Sequence, residues 1–516
     1  MRASIIALFV MWFTALTALA QQPDVQQPVS VVAATDDALQ KWIVANAIAL
    51  RSIDPKDEDF SDLEPLMQAI GSARVVQLGE PSHGAGSAFG AKSRLIEFLH
   101  ERMGFDIVAW ESGFYEVRLA QAALRGGEDP VLAAQRGIMT VWSNAAEARP
   151  LFEYVKASQN TTRPIEMVGL DMNVSAPGVD ERLAADLRSF VAALRDSALR
   201  RDLVMLVDEA AAAAERLRAH AASEERKWIE ASRAGLAGKE LEEALRIWEQ
   251  EEGRKQRPTK ADFDKFLAAT AGLLQTVRAN RTTFEEVHSA DEIAFMERAI
   301  ENLRGRGTRI YEQDRPDSAP ENVRTSRSWN LRDGLMADNL RWLMEQVYPG
   351  RKVIVWAHNA HVMNAYFAED WRSVHTKPQP GGMKPAGTSV AEWLKGGVYT
   401  IAMTTYEGEE AWANGQRRAP VFPAPDGSFE SRLHRVGKPQ LFLDLRSARA
   451  EKRHPMRTPY SLRVSGYGQP SGEYGNDRVP DLTQAFDAIF YIDHMAPATA
   501  LCKGRCTASA LATNRE

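Results

Sequence analysis

From Ala73 onward the chain alternates short, nearly continuous apolar runs with longer stretches in which apolar residues recur every three or four positions. The run "ARVVQLGE" closes at Gly79 and Glu80, "SAFGAKSRLIEFLHERMGF" follows with helical spacing, and "FDIVAWES" is again β-like. Strand, helix, strand is the signature of a layered α/β protein. The same grammar returns at "RPIEMVGLDMN", "RKVIVWAHNAH", "GVYTIAMTTYEGE", "QLFLDLRS" and "FDAIFYIDH". Runs so uniformly apolar predict strands covered on both faces. The expected fold is α/β, with a central, mostly parallel or mixed sheet flanked by helices.

Residues 181 to 305 break this rhythm. Ala, Glu, Arg, Leu and Lys dominate, as in "DEAAAAAERLRAHAASEERKWIE". This predicts long amphipathic helices inserted into the sheet domain, with a turn at "GRKQRPTKADF". The α/β core is then divided into 36–180 and 306–496, and 497–516 form a tail. Residues 21–35 lack a period and read as a flexible leader into a helix around Asp36 to Ala49. The breaker-rich stretch "HTKPQPGGMKPAGTS", His375 to Ser389, predicts a mobile loop, as does "RRAPVFPAPDGSFESRLHRVGKPQ".

The first twenty residues have the order of a cleaved signal peptide: Arg2, the apolar "IIALFVMWFTALTALA", and a small-residue end at Ala18-Leu19-Ala20. Their apolar core is shorter than the roughly 20 residues of a spanning helix, and no later stretch is apolar enough to cross a bilayer. The expectation is an exported protein, periplasmic or extracellular, without stable membrane insertion after cleavage. The two cysteines, Cys502 and Cys506, then suit a local disulfide that stiffens only the tail. Over 516 residues the formal charge is −6. That argues against nucleic acid held on a basic surface, and leaves a small or neutral molecule as the partner.

Chemistry-bearing residues gather where strands end. The first strand leads into Glu80 and His83, the second into Glu111, the third into Asp171 and Asn173, the fourth into His358 and His361. Ligands of open α/β sheets bind outside the carboxyl ends of strands, so segments distant in sequence can converge there. Each residue alone has an ordinary explanation. Glu80 can serve the start of the following helix; Glu111 can pair with Lys92 or Arg94, or with an imidazolium at His83; a histidine pair at a buried strand end can be a hydrogen-bonding node. Their joint placement favours a site. No G-x-S-x-G elbow stands at a strand-to-helix turn, no cysteine is suitably placed, and "HNAH" is not H-E-x-x-H. What remains is a histidine or carboxylate base acting on water, or a metal held by the same groups.

The blocks "LGEPSHG", "AWESGF", "GLDMN", "RDGLMADNLRWL" and "VIVWAHNAHV", in this order over roughly Ala73 to His494, resemble the erythromycin esterase family. The resemblance implies an α/β core with a helical insertion and hydrolysis of an ester or macrolactone, the reaction of the family's named members on macrolide antibiotics. It implies that His83 is the general base, Glu80 and Glu111 the essential acids, and His358 and His361 the downstream histidines. It also places Arg332, Asp333 and Asn339 along the cleft. Where the family commonly carries an Arg, this chain has Lys92, with Arg94 two residues on; a lysine keeps the charge but lacks the bidentate fork. Lys92, Arg94 and Asp171 complete the expected substrate-binding set. In this reading no cofactor is required. Two alternatives stand beside it: a metal-dependent hydrolase with His83, Glu111, His358 and His361 as ligands and Glu80 as base, and an exported binding or polysaccharide-assembly protein that hydrolyses nothing.

Overall fold

The computed structural model describes residues 29–175, 178–233, 238–314, 321–365, 382–413, 418–464 and 477–513. Its strands are β1 (Ile48–Ala49), β2 (Val75–Leu78), β3 (Phe105–Gly113), β4 (Glu166–Asp171), β5 (Lys352–Trp356), β6 (Val398–Ala411), β7 (Arg418–Val421), β8 (Gln440–Asp444), β9 (Tyr460–Leu462), β10 (Asp477–Val479) and β11 (Ala488–Met495). Nine of them form one mixed sheet in the order β1-β8-β11-β6-β2-β5-β3-β4, with β7 on the free end of β6. From β11 through β4 every pairing is parallel; β8 runs against β11, and β1 against β8.

The strand order explains where a site can form. The chain leaves β2 for β3 and β4, and later returns to lay β5 between β2 and β3, then β6 on the other side of β2. Hence β6, β2, β5 and β3 are adjacent and parallel, and their carboxyl ends face one region. Such a reversal of strand order opens a crevice at the strand ends. The central strands are mostly buried, β2 along its whole length, as their apolar runs require. Beneath them Trp110 and Trp356 stack 4.7 Å apart between their centroids, with Phe89, Trp142 and Phe152 packed around. Aromatic pairs of this kind add about 1 kcal/mol each beyond area burial.

Two compact units divide the chain. One contains the sheet. The other, Met172–Leu335, is helical, its long members being Ser197–Arg233, Lys260–Ala279 and Ala290–Asp314. Thr259 and Asp262 form a reciprocal capping box that starts the second of these; the turn read from "GRKQRPTKADF" is shorter than expected, confined to residues 257–259 between Arg254–Gln256 and Lys260–Ala279.

Several expectations change. The first helix runs Val29–Asn46, so it begins inside the stretch expected to be a flexible leader, and Ile48–Ala49 is an edge strand rather than its end. Ala386–Leu394 is a helix entered through Pro385, so the loop expected over His375 to Ser389 does not extend to Ser389; residues 375–381 lie outside the described residues. The segment after the fifth predicted strand contains β7 and the helix Phe429–His434, capped by Ser428. The expected signal peptide also lies outside the described residues. Among the described residues no helix is long and apolar enough to cross a membrane.

Candidate active site

The segment after β2 carries the centre of the site. Glu80 is fully buried, and each of its oxygens is engaged. Oε1 lies 3.0 Å from Nδ1 of His83 and accepts from the indole nitrogen of Trp142 at 2.8 Å; Oε2 pairs with the Lys92 ammonium. A carboxylate at this depth is tolerable only when so compensated. Lys92 reaches it from the helix Gly86–Met103, also donates to the carbonyl of Ala357 at 3.0 Å, and stands 4.7 Å from the ring centre of Trp356. Burial pushes the Lys92 ammonium below the usual lysine range, while Glu80 and, more weakly, Glu111 draw it back.

His83 is partly exposed, with 13% of its side chain reaching solvent. Its ring sits between Trp142, His358 and Trp412, at centroid distances of 5.2, 5.3 and 6.1 Å. With Glu80 accepting at Nδ1, the neutral ring carries its proton there and its lone pair at Nε2. The loop that presents it is tightly specified. A Cβ at Gly79 would meet Oδ1 of Asn359 at 2.1 Å, and one at Gly84 would meet Trp412 at 2.8 Å. Ser82 donates to the buried carboxylate of Glu410 at the end of β6 and accepts from the backbone of Gly84.

Glu111, at the end of β3, organises the second half. Its Oε2 accepts from the backbone N–H of His358 at 2.9 Å, and its Oε1 lies 3.2 Å from Nε2 of His361. The two histidines therefore play different parts. His358 caps the short helix Asn359–Val362, its Nδ1 accepting from Ala360 while Nε2–H donates to the carbonyl of Pro81 at 3.0 Å. Burial first, and then the neighbouring His83, hold this ring well below the ordinary imidazole value. It is a neutral strut tying β5 to the loop after β2. His361 instead has a carboxylate partner suited to an imidazolium. A small cavity of roughly 20 Å³ adjoins this pair, lined by residues that include Gln77, Glu111, His361, Leu340, Val355 and Val390; that is room for about one water.

Arg94 is not brought to the site. Its guanidinium binds both oxygens of Asp62 and the carbonyls of Ser52, Asp57 and Asp59, so it knots the 51–62 loop instead of meeting a substrate. The i to i+2 spacing on a helix turns it away from Lys92. Asp171 is buried at the end of β4. Asn339 donates to the carbonyl of Leu170 and so fastens that strand. Arg332, half-buried, and Asp333, buried, belong to the helical unit, as does Asn173, which accepts from Arg309. Trp142, Trp412, Glu410 and Asn359 were not legible as site residues. Only Asn359, inside "HNAH", carried a signal; it donates to the carbonyl of Met403 and accepts its N–H, locking β5 to β6.

For a metal, the donor set fits poorly. Both ring nitrogens of His358 serve backbone groups, and among the described residues no group of three or more His, Cys, Asp or Glu side chains is arranged to hold an ion.

The model of the family described as erythromycin esterase matches residues 100–495. The chain belongs to the erythromycin esterase family. The matched span includes Glu111, His358 and His361 and begins after Glu80 and His83. YbfO of Bacillus subtilis (strain 168), named as a hydrolase, is 25% identical over 477 residues, 89% of this chain and 91% of its own. Among solved structures, a Bacillus cereus protein aligns with TM-score 0.65 at 20% identity, over 90% of this chain and 98% of that one. A mutant of the erythromycin esterase EreC in its open conformation aligns with TM-score 0.56 at 15% identity, over 89% and 100%. At these identities the structures establish a shared fold, and the family's α/β core with its helical unit is that fold.

Proposed function

We propose that this erythromycin esterase family member is an exported carboxylic ester hydrolase that opens an ester or macrolactone by water attack, with His83 as general base. The observation that carries the reading is the contact between His83 Nδ1 and the buried Glu80 carboxylate. It sets the basic lone pair at Nε2 and stabilises the imidazolium that forms when a proton is taken from water. Hydroxide character at the water then attacks the carbonyl carbon, giving a tetrahedral oxyanion. His361, in its protonated form beside Glu111, supplies the proton to the departing alkoxide, and the proton taken up by His83 passes through solvent to restore His361, so that both rings end as they began. Ester plus water becomes acid plus alcohol. General-base assistance contributes about 10² to 10⁴-fold.

Export is read from the charge, apolar core and small-residue order of the first twenty residues. The Cys502–Cys506 disulfide agrees with an oxidising compartment. Resistance to a macrolide would follow only if such a lactone is the substrate.

The test is a panel of macrolides and p-nitrophenyl esters, with hydrolysis followed as a mass gain of one water, for the wild-type protein and His83→Gln. Turnover lost in a folded variant supports the reading. Near wild-type turnover in that variant removes His83 as base. A panel that is inert toward the wild-type protein, with bound ligand detected, turns the reading to binding.

A further inference from the structure

The segment after β11 is more than a terminus. Residues Pro497 to Cys506 run behind the two loops that frame His83. Pro497 bridges Ala85, and Ala498 donates to the carbonyl of Gly84. Ala500 bridges Ala145, Thr499 accepts from Ala146, and Leu501 donates to the carbonyl of Asn144. The disulfide between Cys502 and Cys506 then closes the strap on itself, with Cys506 N–H donating to Gln135 Oε1 at 3.0 Å and Arg505 to the Gln135 carbonyl. Leu501, Cys506 and Leu511 pack against Val131.

Asn144 is where this strap meets the site. Its side chain is fully buried. Its Nδ2 donates both to the carbonyl of Cys502 at 2.9 Å and to that of Ala413 at 2.8 Å, and its Oδ1 accepts from Cys502 N–H at 3.1 Å. Two residues before Asn144 is Trp142, which donates to Glu80. One residue before Ala413 is Trp412, which flanks His83. One amide thus joins the two tryptophan-bearing segments to the strap.

We propose that Asn144 and the disulfide-closed strap Pro497 to Cys506 position the Glu80–His83 pair, acting through Trp142 and Trp412. The strap holds the two indoles against the pair, which keeps the Trp142 hydrogen bond on Glu80 and shields all but 13% of the His83 side chain from water. So short a disulfide loop adds little to global stability through chain entropy; its effect is local, keeping Cys502 in register with Asn144 while Cys506 stays on Gln135. The proposal rests on the reading of His83 as base, but its physical content, the shielding of His83, is measurable without a substrate.

The experiment compares the oxidised protein, the same protein after reduction, Cys502→Ser/Cys506→Ser, and Asn144→Ala. In the reduction a dithiol gives two electrons and two protons and closes to its own disulfide, while the S–S bond opens to two thiols, checked by mass. Diethyl pyrocarbonate modification of His83 is followed by peptide mass spectrometry, with the exposed His494 as internal reference, and circular dichroism reports the fold. The expected result is a several-fold faster modification of His83 relative to His494 in all three altered forms, with the fold retained. Where an ester is turned over, kcat falls about tenfold or more with KM little changed. An unchanged His83-to-His494 ratio after complete reduction of the native protein overturns the proposal, including the case in which Asn144→Ala does not fold. Failure of every ester in the wild-type protein would instead count against the hydrolase reading and leave this ratio as the deciding number.

Discussion

His83 Nδ1 lies 3.0 Å from Glu80 Oε1, three residues back on the same loop. The same oxygen takes the indole N–H of Trp142, and the other carboxylate oxygen takes Lys92. Glu80 is therefore held on two sides while it contacts the partly exposed imidazole of His83 on the third. Neutralising it isolates the electrostatic part. Glu80→Gln keeps an acceptor for His83 and Trp142 but cannot balance an imidazolium, and turnover is expected to fall by about 10² to 10⁴-fold with substrate affinity little affected. Steady-state kinetics of the folded variant check this; a loss confined to KM would assign Glu80 to binding.

Lys92 and Arg94 are two residues apart and do different work. Lys92→Met leaves Glu80 as a buried carboxylate short of its cation, with an expected cost of about 3 to 5 kcal/mol, read from denaturant unfolding, together with loss of turnover. Arg94→Ala releases the 51–62 loop and lowers stability, but at a temperature where the variant is folded its kcat should stay near the wild-type value. A collapse of kcat there would return Arg94 to the site.

His358 and His361 should separate by pH as well as by rate. The folded-state value of His358 is depressed, so the unfolded chain binds more protons below about pH 6.5, and the stabilisation present above that pH is lost as pH falls. His358→Asn preserves a helix-capping acceptor and removes this titration. Its melting temperature should decline less than that of the wild type between about pH 7 and pH 5, and its kcat should change far less than in His361→Gln. Equal losses of kcat would mean that both rings face the reacting atoms.

Glu97, buried on the same helix as Lys92, titrates in the opposite sense. Burial first, then Glu101 and Glu58, push it up to about 8. Its folded value lies above the unfolded one, so the native state holds the extra proton between the two and stability falls as pH rises through that window. Glu97→Gln should be more stable than the wild type at about pH 9 and should flatten the decline from about pH 5, measured by thermal melts. An unchanged slope would show that Glu97 ionises without cost.

The local record of the chain decided a good deal. Continuous apolar runs identified every long strand of the sheet, because a strand buried on both faces must be apolar along its length, and β1, β7, β9 and β10 escaped because short or edge strands carry no such demand. Helix-period composition marked the inserted unit. Glu80, His83, Glu111 and His361 stood out in the sequence because costly groups at strand ends are rare without a purpose, and the structure pairs Glu80 with His83 and Glu111 with His361. Tertiary structure alone decided the roles. The backbone acceptor at Pro81 ties up His358, the 51–62 loop captured Arg94, and Asn144 bonds to the segment after β11 while Trp142 bonds to Glu80. Those outcomes depend on which hydrogen-bonding groups meet across the fold, and periodicity records only which face of an element is buried.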